Sequence, residues 1–292
     1  MRILITGAAG FIGSHLAQRL SPGNQLFLLD RNDAPVKIEN AEWLCHDLTK
    51  RLLPEQLPQA IDVIFHFAES SRYHDFPSAA LEIFQLNTSC TLQLLEYGRV
   101  AGASRFFYAS TGNVYDEHKE KFRETDKVSG MRSFYALSKF QGEGLVRAYS
   151  SYMSTGIFRF FAVYGPGQKR RLISTLVEKV LTSQPIQIYG KQGIRLNPIY
   201  IDDAVEVMAK AVSLDESVVL NVGGIEELSI LQMSKAIGEV ACIGPRFEHL
   251  PDRGDADLVG EVGRMMEVLD FRPGTMFDEG VRRILKVQRI RK

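Results

Sequence analysis

The segment Ile3-Leu-Ile-Thr-Gly7-Ala-Ala-Gly10-Phe-Ile-Gly13-Ser-His-Leu constrains the fold more than any other part of the chain. A short apolar run leads into glycines at 7, 10 and 13, and an amphipathic stretch, Phe11–Leu20, begins at once. The order reads as a buried strand, a tight turn and a helix. Glycine permits backbone geometry closed to other residues, and the missing side chains let an anionic group approach the amides. The helix start adds unpaired N–H groups and the positive end of its dipole. The spacing G-x-x-G-x-x-G is a variant of the dinucleotide-binding fingerprint, and its place between strand and helix gives the glycines their meaning. Asp30 closes the next apolar run, 17 residues past Gly13. A carboxylate there can bind adenosine ribose hydroxyls and would repel a 2′-phosphate, which favours NAD. Arg31 can cradle such a phosphate, so NADP stays open. Taken alone, Asp30 is only a turn residue after a strand.

The same alternation continues. Strands are expected at 3–6, 25–29, 42–45, 63–67, 105–109 and 156–160, several of them near-continuous apolar runs, as in strands covered on both faces. Helices are expected at 79–99 and 134–153. Right-handed βαβ units follow, and with them an α/β fold: a Rossmann-type doubly wound parallel sheet with a smaller α/β C-terminal substrate lobe. Past about residue 162 the rhythm loosens, with helices expected at 172–182, 201–212, 228–240 and 277–290 and a strand at 218–222. The expected division is an NAD(P)-binding domain over 1–161, to which 192–215 returns, and a substrate-binding lobe over 162–292.

Composition removes whole classes of function. With 35 Lys plus Arg against 35 Asp plus Glu, nothing draws the chain generally to nucleic acid or to an anionic membrane. No apolar run nears the ~18 residues of a membrane-spanning helix. Arg2 and the apolar run behind it mimic a secretion signal, but three glycines and His15 argue against one. Cys45, Cys90 and Cys242 are widely spaced and make neither a disulfide framework nor a metal pair, so a reducing, cytoplasmic compartment is expected. His15, His46, His66, His74, His118 and His249 show no metal-ligand spacing, and no metal is expected. Lys169-Arg170-Arg171 reads as a solvated helix start.

Tyr135 and Lys139 stand four residues apart, on one face of the expected helix. A nearby ammonium favours a phenolate, so the tyrosine should titrate below its ordinary value of about 10, as a general base or acid requires. The pattern is common by chance and acquires weight only downstream of a dinucleotide fold. Ser110 and Thr111 follow a strand whose carboxyl end belongs near a ligand, where either hydroxyl can meet a reacting oxygen. Ordinary turn chemistry explains the same residues.

Together, Thr6-Gly-Ala-Ala-Gly-Phe-Ile-Gly-Ser-His15, Asp30, Tyr135-x-x-x-Lys139 and Phe158-Arg-Phe-Phe-Ala-Val-Tyr-Gly-Pro166 resemble the extended short-chain dehydrogenases/reductases. Within these the chain looks most like the nucleotide-sugar epimerase/dehydratase group, and Pro198-Ile-Tyr-Ile-Asp-Asp-Ala204 and Arg253-Gly-Asp255 extend the likeness over nearly its whole length. The resemblance implies that Gly7, Gly10 and Gly13, with the backbone at Phe11 and Ile12, hold the pyrophosphate. Asp30 and Arg31 would meet the adenosine ribose, and Asp47 and Leu48 would flank the adenine. Phe67, Ala68, Asn87, Ser110 and Phe160 complete the implied cofactor set. Thr111, Tyr135 and Lys139 match the catalytic residues, with Lys139 also on the nicotinamide ribose. Ser71, Arg72, Thr111, Ala162, Tyr189, Arg195, Arg253 and Asp255 form the implied substrate side. His74 shares the loop with Ser71 and Arg72. The helices at 79–99 and 134–153 resemble the pair through which the family forms a four-helix homodimer.

Departures narrow the activity. Gly112 and Asn113 stand where dehydratases carry Asp-Glu, and neither can transfer a proton; the resemblance also implies a Glu in that loop for decarboxylating members, so elimination and decarboxylation are both disfavoured. Ala162 replaces a common Asn, and Arg195 lies one residue farther than usual from Asp202. The expected function is an NAD-dependent nucleotide-sugar epimerase acting at C4 through a 4-keto sugar. The alternatives are an NAD(P)H-dependent reductase of a 4-keto nucleotide sugar or related carbonyl compound, and a non-catalytic cofactor-binding protein.

Overall fold

In the computed structural model, residues 1–32, 37–116, 119–254 and 256–290 are described, the side chains of 288–290 excepted. β1 (Arg2–Thr6) runs into the glycine turn and α1 (Phe11–Leu20) leaves it. β2 (Gln25–Asp30), β3 (Ala41–Cys45) and β4 (Val63–His66) follow. α2 (Ala80–Phe84) and α3 (Cys90–Ala101) are joined by a π-helical turn, Gln85–Ser89, where one continuous helix was expected. α3 stops where Gly102 takes a left-handed conformation, φ +79°. β5 (Arg105–Thr111) leads to α4 (Phe134–Ala148), which starts where the Ser133 hydroxyl accepts from Ala136 N at 3.1 Å and ends five residues short of the expected limit. β6 (Ser154–Phe160) and β7 (Ala162–Tyr164) come next. The remainder comprises α5 (Leu172–Leu181), β8 (Pro185–Tyr189), β9 (Arg195–Leu196), β10 (Pro198–Tyr200), α6 (Ile201–Ala211), β11 (Val218–Val222), β12 (Leu228–Ser229), α7 (Ile230–Ala241), β13 (Arg246–Leu250), α8 (Gly263–Leu269) and α9 (Phe277–Ile290).

The chain separates into two compact units. The first comprises Met1–Asp116, Thr125–Phe160 and Val205–Leu220, so the segment that returns to it starts inside α6 and ends inside β11. Its seven-stranded sheet runs β11-β6-β5-β4-β1-β2-β3, and β1 pairs in parallel with both β2 and β4, Ile5 lying opposite Leu28 on one side and Phe65 on the other. Strand order therefore reverses at β1. The chain leaves β1 toward β3, then returns to build the other half, and a parallel sheet opens a crevice beyond the carboxyl ends of its strands at such a point.

Helices cover this sheet because its strands are apolar on both faces. Leu4, Ile64, Phe106, Tyr108 and Ile157 pack with Leu94, Leu95 and Val146 of α3 and α4, all buried. Each such aliphatic side chain contributes about 1.5–3 kcal/mol by leaving water. Elsewhere on β4, β5 and β6 the rings of Phe65, Phe107 and Phe158 stack at 4.8 and 5.5 Å. Gly156 is required beside them, since a Cβ there would collide with the Phe107 ring.

The second unit comprises Glu117–Glu124, Phe161–Ala204 and Asn221–Lys292. Its strands form two-stranded pairs, β7 with β10, β8 with β13 and β9 with β12. Buried Asn197 joins distant loops: its Nδ2 donates to the carbonyls of Gly224 (3.2 Å) and Gly260 (3.0 Å), and its Oδ1 accepts from Gly260 N at 3.0 Å. Among the described residues no helix is long and apolar enough to cross a membrane.

Candidate active site

The glycine turn lies at the strand-order reversal, and sterics dictate its composition. Gly7 has φ +65°, and a Cβ there would stand 2.7 Å from Ala68 N. A Cβ at Gly13 would run into the Gly7 carbonyl oxygen. Turn, helix start and the Phe67–Ala68 backbone thus meet without intervening side chains. α1 begins with no side-chain cap and no acidic residue in its first turn, which suits its N-terminal amides and dipole to an anion. Asp30 is fastened to this turn: its Oδ2 accepts from Ala9 N, and its Oδ1 from Asn32 N and Nδ2, each at 3.1 Å. Arg31 is exposed and its Nη2 donates to Ser71 Oγ at 3.5 Å. Hydrogen bonds from Thr49 Oγ1 (2.8 Å) and N (3.1 Å) hold the Asp47 carboxyl below its ordinary range, and Leu48 beside it is buried.

Thr111 ends β5, while Tyr135 and Lys139 stand one turn apart on α4. Lys139 is 1 % exposed, its Nζ donating to Ala109 O at 2.8 Å and lying 5.9 Å from the centre of the Tyr135 ring. Glu69, which the motif reading did not single out, meets both. The Tyr135 hydroxyl donates to Glu69 Oε2 at 3.0 Å, and Lys139 Nζ is 3.6 Å from the same oxygen. Glu69 belongs to no spaced motif; its one sequence signal is an acidic residue three positions past the end of β4, the strand beside β1. Thr111 Oγ1 accepts from Asn113 N (3.2 Å) and Nδ2 (3.3 Å).

Side chains alternate along a strand, so Ser110 cannot share the environment of Thr111. Its hydroxyl donates to Glu143 Oε1 at 2.6 Å, inside a buried network. There Arg159 donates to both Glu143 oxygens (2.9 and 2.6 Å) and to Tyr115 Oη (2.9 Å). Burial presses the Arg159 guanidinium toward its neutral form, but Glu143 more than offsets this and holds it above its usual value.

Asn87 sits at the centre of the π-helical turn. Its Nδ2 donates to Ser138 Oγ at 2.9 Å, its carbonyl accepts from Tyr108 Oη (3.0 Å) and Thr91 Oγ1 (2.9 Å), and its buried Oδ1 has no partner among the described residues. His66 Nε2 lies 3.2 Å from Thr91 Oγ1 and Nδ1 lies 2.7 Å from Thr6 Oγ1. With the Thr91 proton directed at the Asn87 carbonyl, His66 carries its proton on Nε2 and accepts from Thr6. Burial, reinforced by the Lys139 charge, pushes its pKa down to about 3, so this imidazole is neutral.

The remaining expected residues are placed as follows. Phe160, buried, ends β6 opposite Thr111. Arg72 is exposed and engaged with Asp75 (3.1 Å), Ser78 (3.3 Å) and Glu82 (3.8 Å). His74 packs on Tyr73, whose ring lies 5.0 Å from that of Tyr135. In the second unit, Ala162 pairs with Pro198 across β7 and β10. Arg253 stacks 3.5 Å above the Tyr189 ring and donates to its hydroxyl. Arg195 is held by Asp257, Nε to Oδ2 at 2.8 Å, with Glu227 at 3.8 Å, so an anion reaching it competes with two carboxylates. Asp255 lies outside the described residues. Among those described, no cluster of three His, Cys, Asp or Glu side chains could hold a metal ion.

A sequence model of the NAD dependent epimerase/dehydratase family matches residues 3–223. An uncharacterized UDP-glucose epimerase of Bacillus subtilis (strain 168), YtcB, is 30 % identical over 311 residues, spanning 96 % of each chain. Among solved structures, MoeE5 in complex with UDP-glucuronic acid and NAD matches with a TM-score of 0.87 at 28 % identity, covering 100 % of both chains. The UDP-glucuronic acid 4-epimerase from Bacillus cereus in complex with NAD does so with a TM-score of 0.87 at 25 % identity, again over 100 % of both. A UDP-N-acetyl-alpha-D-glucosaminuronate decarboxylase from Bacillus cytotoxicus and a dTDP-4-dehydro-6-deoxy-D-allose reductase from Streptomyces bikiniensis are each 27 % identical, over 98 % and 93 % of this chain and 97 % and 91 % of theirs.

Proposed function

The chain belongs to the NAD dependent epimerase/dehydratase family, and we propose on that footing that it interconverts a UDP-sugar with its C4 epimer through a transient 4-keto sugar. The observation that carries this reading is that Tyr135 stands one helical turn from the buried Lys139, whose ammonium lies 5.9 Å from the centre of the tyrosine ring and donates to Ala109 O of β5. The residues present fit NAD: the turn has room for no Cβ at Gly7 or Gly13, α1 starts with no side-chain cap, Asp30 is fastened to the turn, and the Asn87 Oδ1 has no partner among the described residues. Gly7 to Gly13 would hold the pyrophosphate, Asp30 the adenosine ribose, Asp47 and Leu48 the adenine, and Lys139 the nicotinamide ribose. Bound NAD supplies a hydride acceptor and donor. The exposed Arg31 leaves a site where a 2′-phosphate could also be met.

Tyr135 takes the proton of the sugar 4-hydroxyl and later returns one to the ketone oxygen, once the 4-keto sugar has turned so that C4 presents its other face for reduction. Lys139 stabilises negative charge on that phenol oxygen. Thr111, already an acceptor toward Asn113, directs its own proton to the reacting oxygen. The loop after Thr111 offers Gly112 and Asn113, neither a proton-transfer group, which supports epimerisation over elimination. We assign the second unit, with Arg253 stacked on Tyr189, to substrate binding, and the exposed apolar side chains Leu81, Phe84 and Leu92 of α2 and α3 to a homodimer contact. Free Cys45 and Cys242 support a cytoplasmic setting.

The test is an assay of the purified protein against a panel of UDP- and dTDP-sugars, with and without NADH and NADPH. Interconversion of 4-epimers with no net change in cofactor is expected. Stoichiometric NADH or NADPH consumption would replace the reading by a ketoreductase, and a Tyr135→Phe variant with full activity would refute both.

A further inference from the structure

One carboxylate contacts the catalytic pair without a role in the mechanism above. Glu69 follows Phe67–Ala68, the backbone against which Gly7 is packed, so its position is set by the same close approach that shapes the glycine turn. A single oxygen, Oε2, accepts from Tyr135 Oη at 3.0 Å and lies 3.6 Å from Lys139 Nζ. If Tyr135 worked simply as a stored phenolate, a carboxylate at this distance would oppose it by like charge. A phenol donating to a carboxylate, with an ammonium beside both, is instead a chain along which a proton can move. Other titratable groups around the pair include Tyr73 against Tyr135, Tyr108 with its ring centre 5.1 Å from Lys139 Nζ, and the neutral His66.

We propose that Glu69 is the proton acceptor behind Tyr135, so that the tyrosine relays a proton rather than storing negative charge. As the substrate hydroxyl is oxidised, its O–H proton passes to Tyr135 Oη while the tyrosine's own proton passes to Glu69 Oε2. The O–H electron pair becomes the second bond of the ketone, and the C–H pair leaves as hydride to oxidised nicotinamide, the co-reactant. One proton and one hydride leave the sugar, and Glu69 ends neutral. Reduction runs the same path backwards. The substrate here rests on the epimerase reading, but the proton path does not: a ketoreductase would use it in the reducing direction.

Two measurements test the relay. Ionisation of Tyr135 is followed without substrate or cofactor, as the ultraviolet difference between wild type and Tyr135→Phe, and again in the Glu69→Gln background. Removing the carboxylate should move the midpoint down by about one pH unit or more. In the holoenzyme, Glu69→Gln should lower kcat about tenfold or more, within the usual range for general acid–base groups, with KM within about twofold. Its proton inventory should change from bowed to linear as two moving protons become one. An unmoved tyrosine midpoint, or a kcat within about twofold of wild type across the pH range, would overturn the proposal. Should Glu69→Gln fail to fold by circular dichroism, Glu69→Asp is read in the same two ways, since it withdraws the carboxylate by one methylene. Full activity in Tyr135→Phe would overturn both the relay and the proposed function, whereas stoichiometric NADH or NADPH consumption with the same loss of kcat in Glu69→Gln would replace the epimerase reading and leave the relay standing.

Discussion

Replacing Glu143 by leucine should be among the most damaging single changes in the first unit, and the structure gives its size. Glu143 and Arg159 side chains are each 1 % exposed. The substitution removes two charge-assisted hydrogen bonds to Arg159 and the acceptor of Ser110, leaving a buried guanidinium with Tyr115 Oη as its partner from this network. Breaking a buried ion pair by removing one member costs about 3–5 kcal/mol. At about 2–4 °C per kcal/mol for a chain of this length, the melting temperature should drop by roughly 6–20 °C. The half-exposed Arg147, 3.7 Å from the same carboxylate, adds little. The control is the double variant Glu143→Leu with Arg159→Met, which removes both charges and should recover to within about 1–2 kcal/mol of wild type. Urea unfolding of wild type, both singles and the double closes the cycle, and a coupling of about 3 kcal/mol is expected. A single variant within about 1 kcal/mol of wild type, or a double as damaged as the sum of the singles, would refute the argument.

Gly13→Ala should abolish NAD binding in equilibrium dialysis and destabilise the first unit, because the new methyl runs into the Gly7 carbonyl; unchanged binding would contradict the packing described. His66 ties stability to pH. Its folded pKa of about 3 lies below the ordinary 6.5, so the unfolded chain binds more protons between those values and stability falls as pH drops from 6.5 toward 3. At about 1.4 kcal/mol per pH unit the loss reaches about 5 kcal/mol at the low end. His66→Gln should flatten that slope in urea midpoints measured from pH 7 to 4, and a slope equal to wild type would show that other groups carry it.

Most of the first unit is legible in the sequence, because its signals are local. Leu26 to Leu29 form an apolar run too short for a helix and buried on both faces, and α1 is bracketed by Gly10 and Ser21-Pro22. What escapes is set by partners far along the chain. The π-helical turn falls at Asn87, whose bonds run to Ser138 and Tyr108, and no period in 79–99 signals it. Ser110 and Thr111 look equivalent until the sheet assigns them opposite faces, one toward Glu143 and the other toward Asn113. Arg195 looks available for a phosphate until Asp257, 62 residues on, takes its guanidinium. β8 exposes Pro185 and Gln187, β13 exposes Arg246, Glu248 and His249, and the two pair with one another, so neither carries the apolar run that marks a strand in the first unit.

The return of Val205–Leu220 to the first unit has a consequence for how the protein is made. β6 is complete at Phe160, but the strand that covers its outer edge, β11, begins only at Val218. At about 5–20 residues per second, synthesis leaves that apolar edge unpaired for roughly 3–12 s on the ribosome. An open edge of this kind recruits stray strands from other nascent chains. A cofactor-binding fragment cut after residue 161 would carry the same exposed edge permanently. The first unit is therefore not a detachable module: its last strand arrives 58 residues after the others, on the far side of a stretch that folds with the second unit.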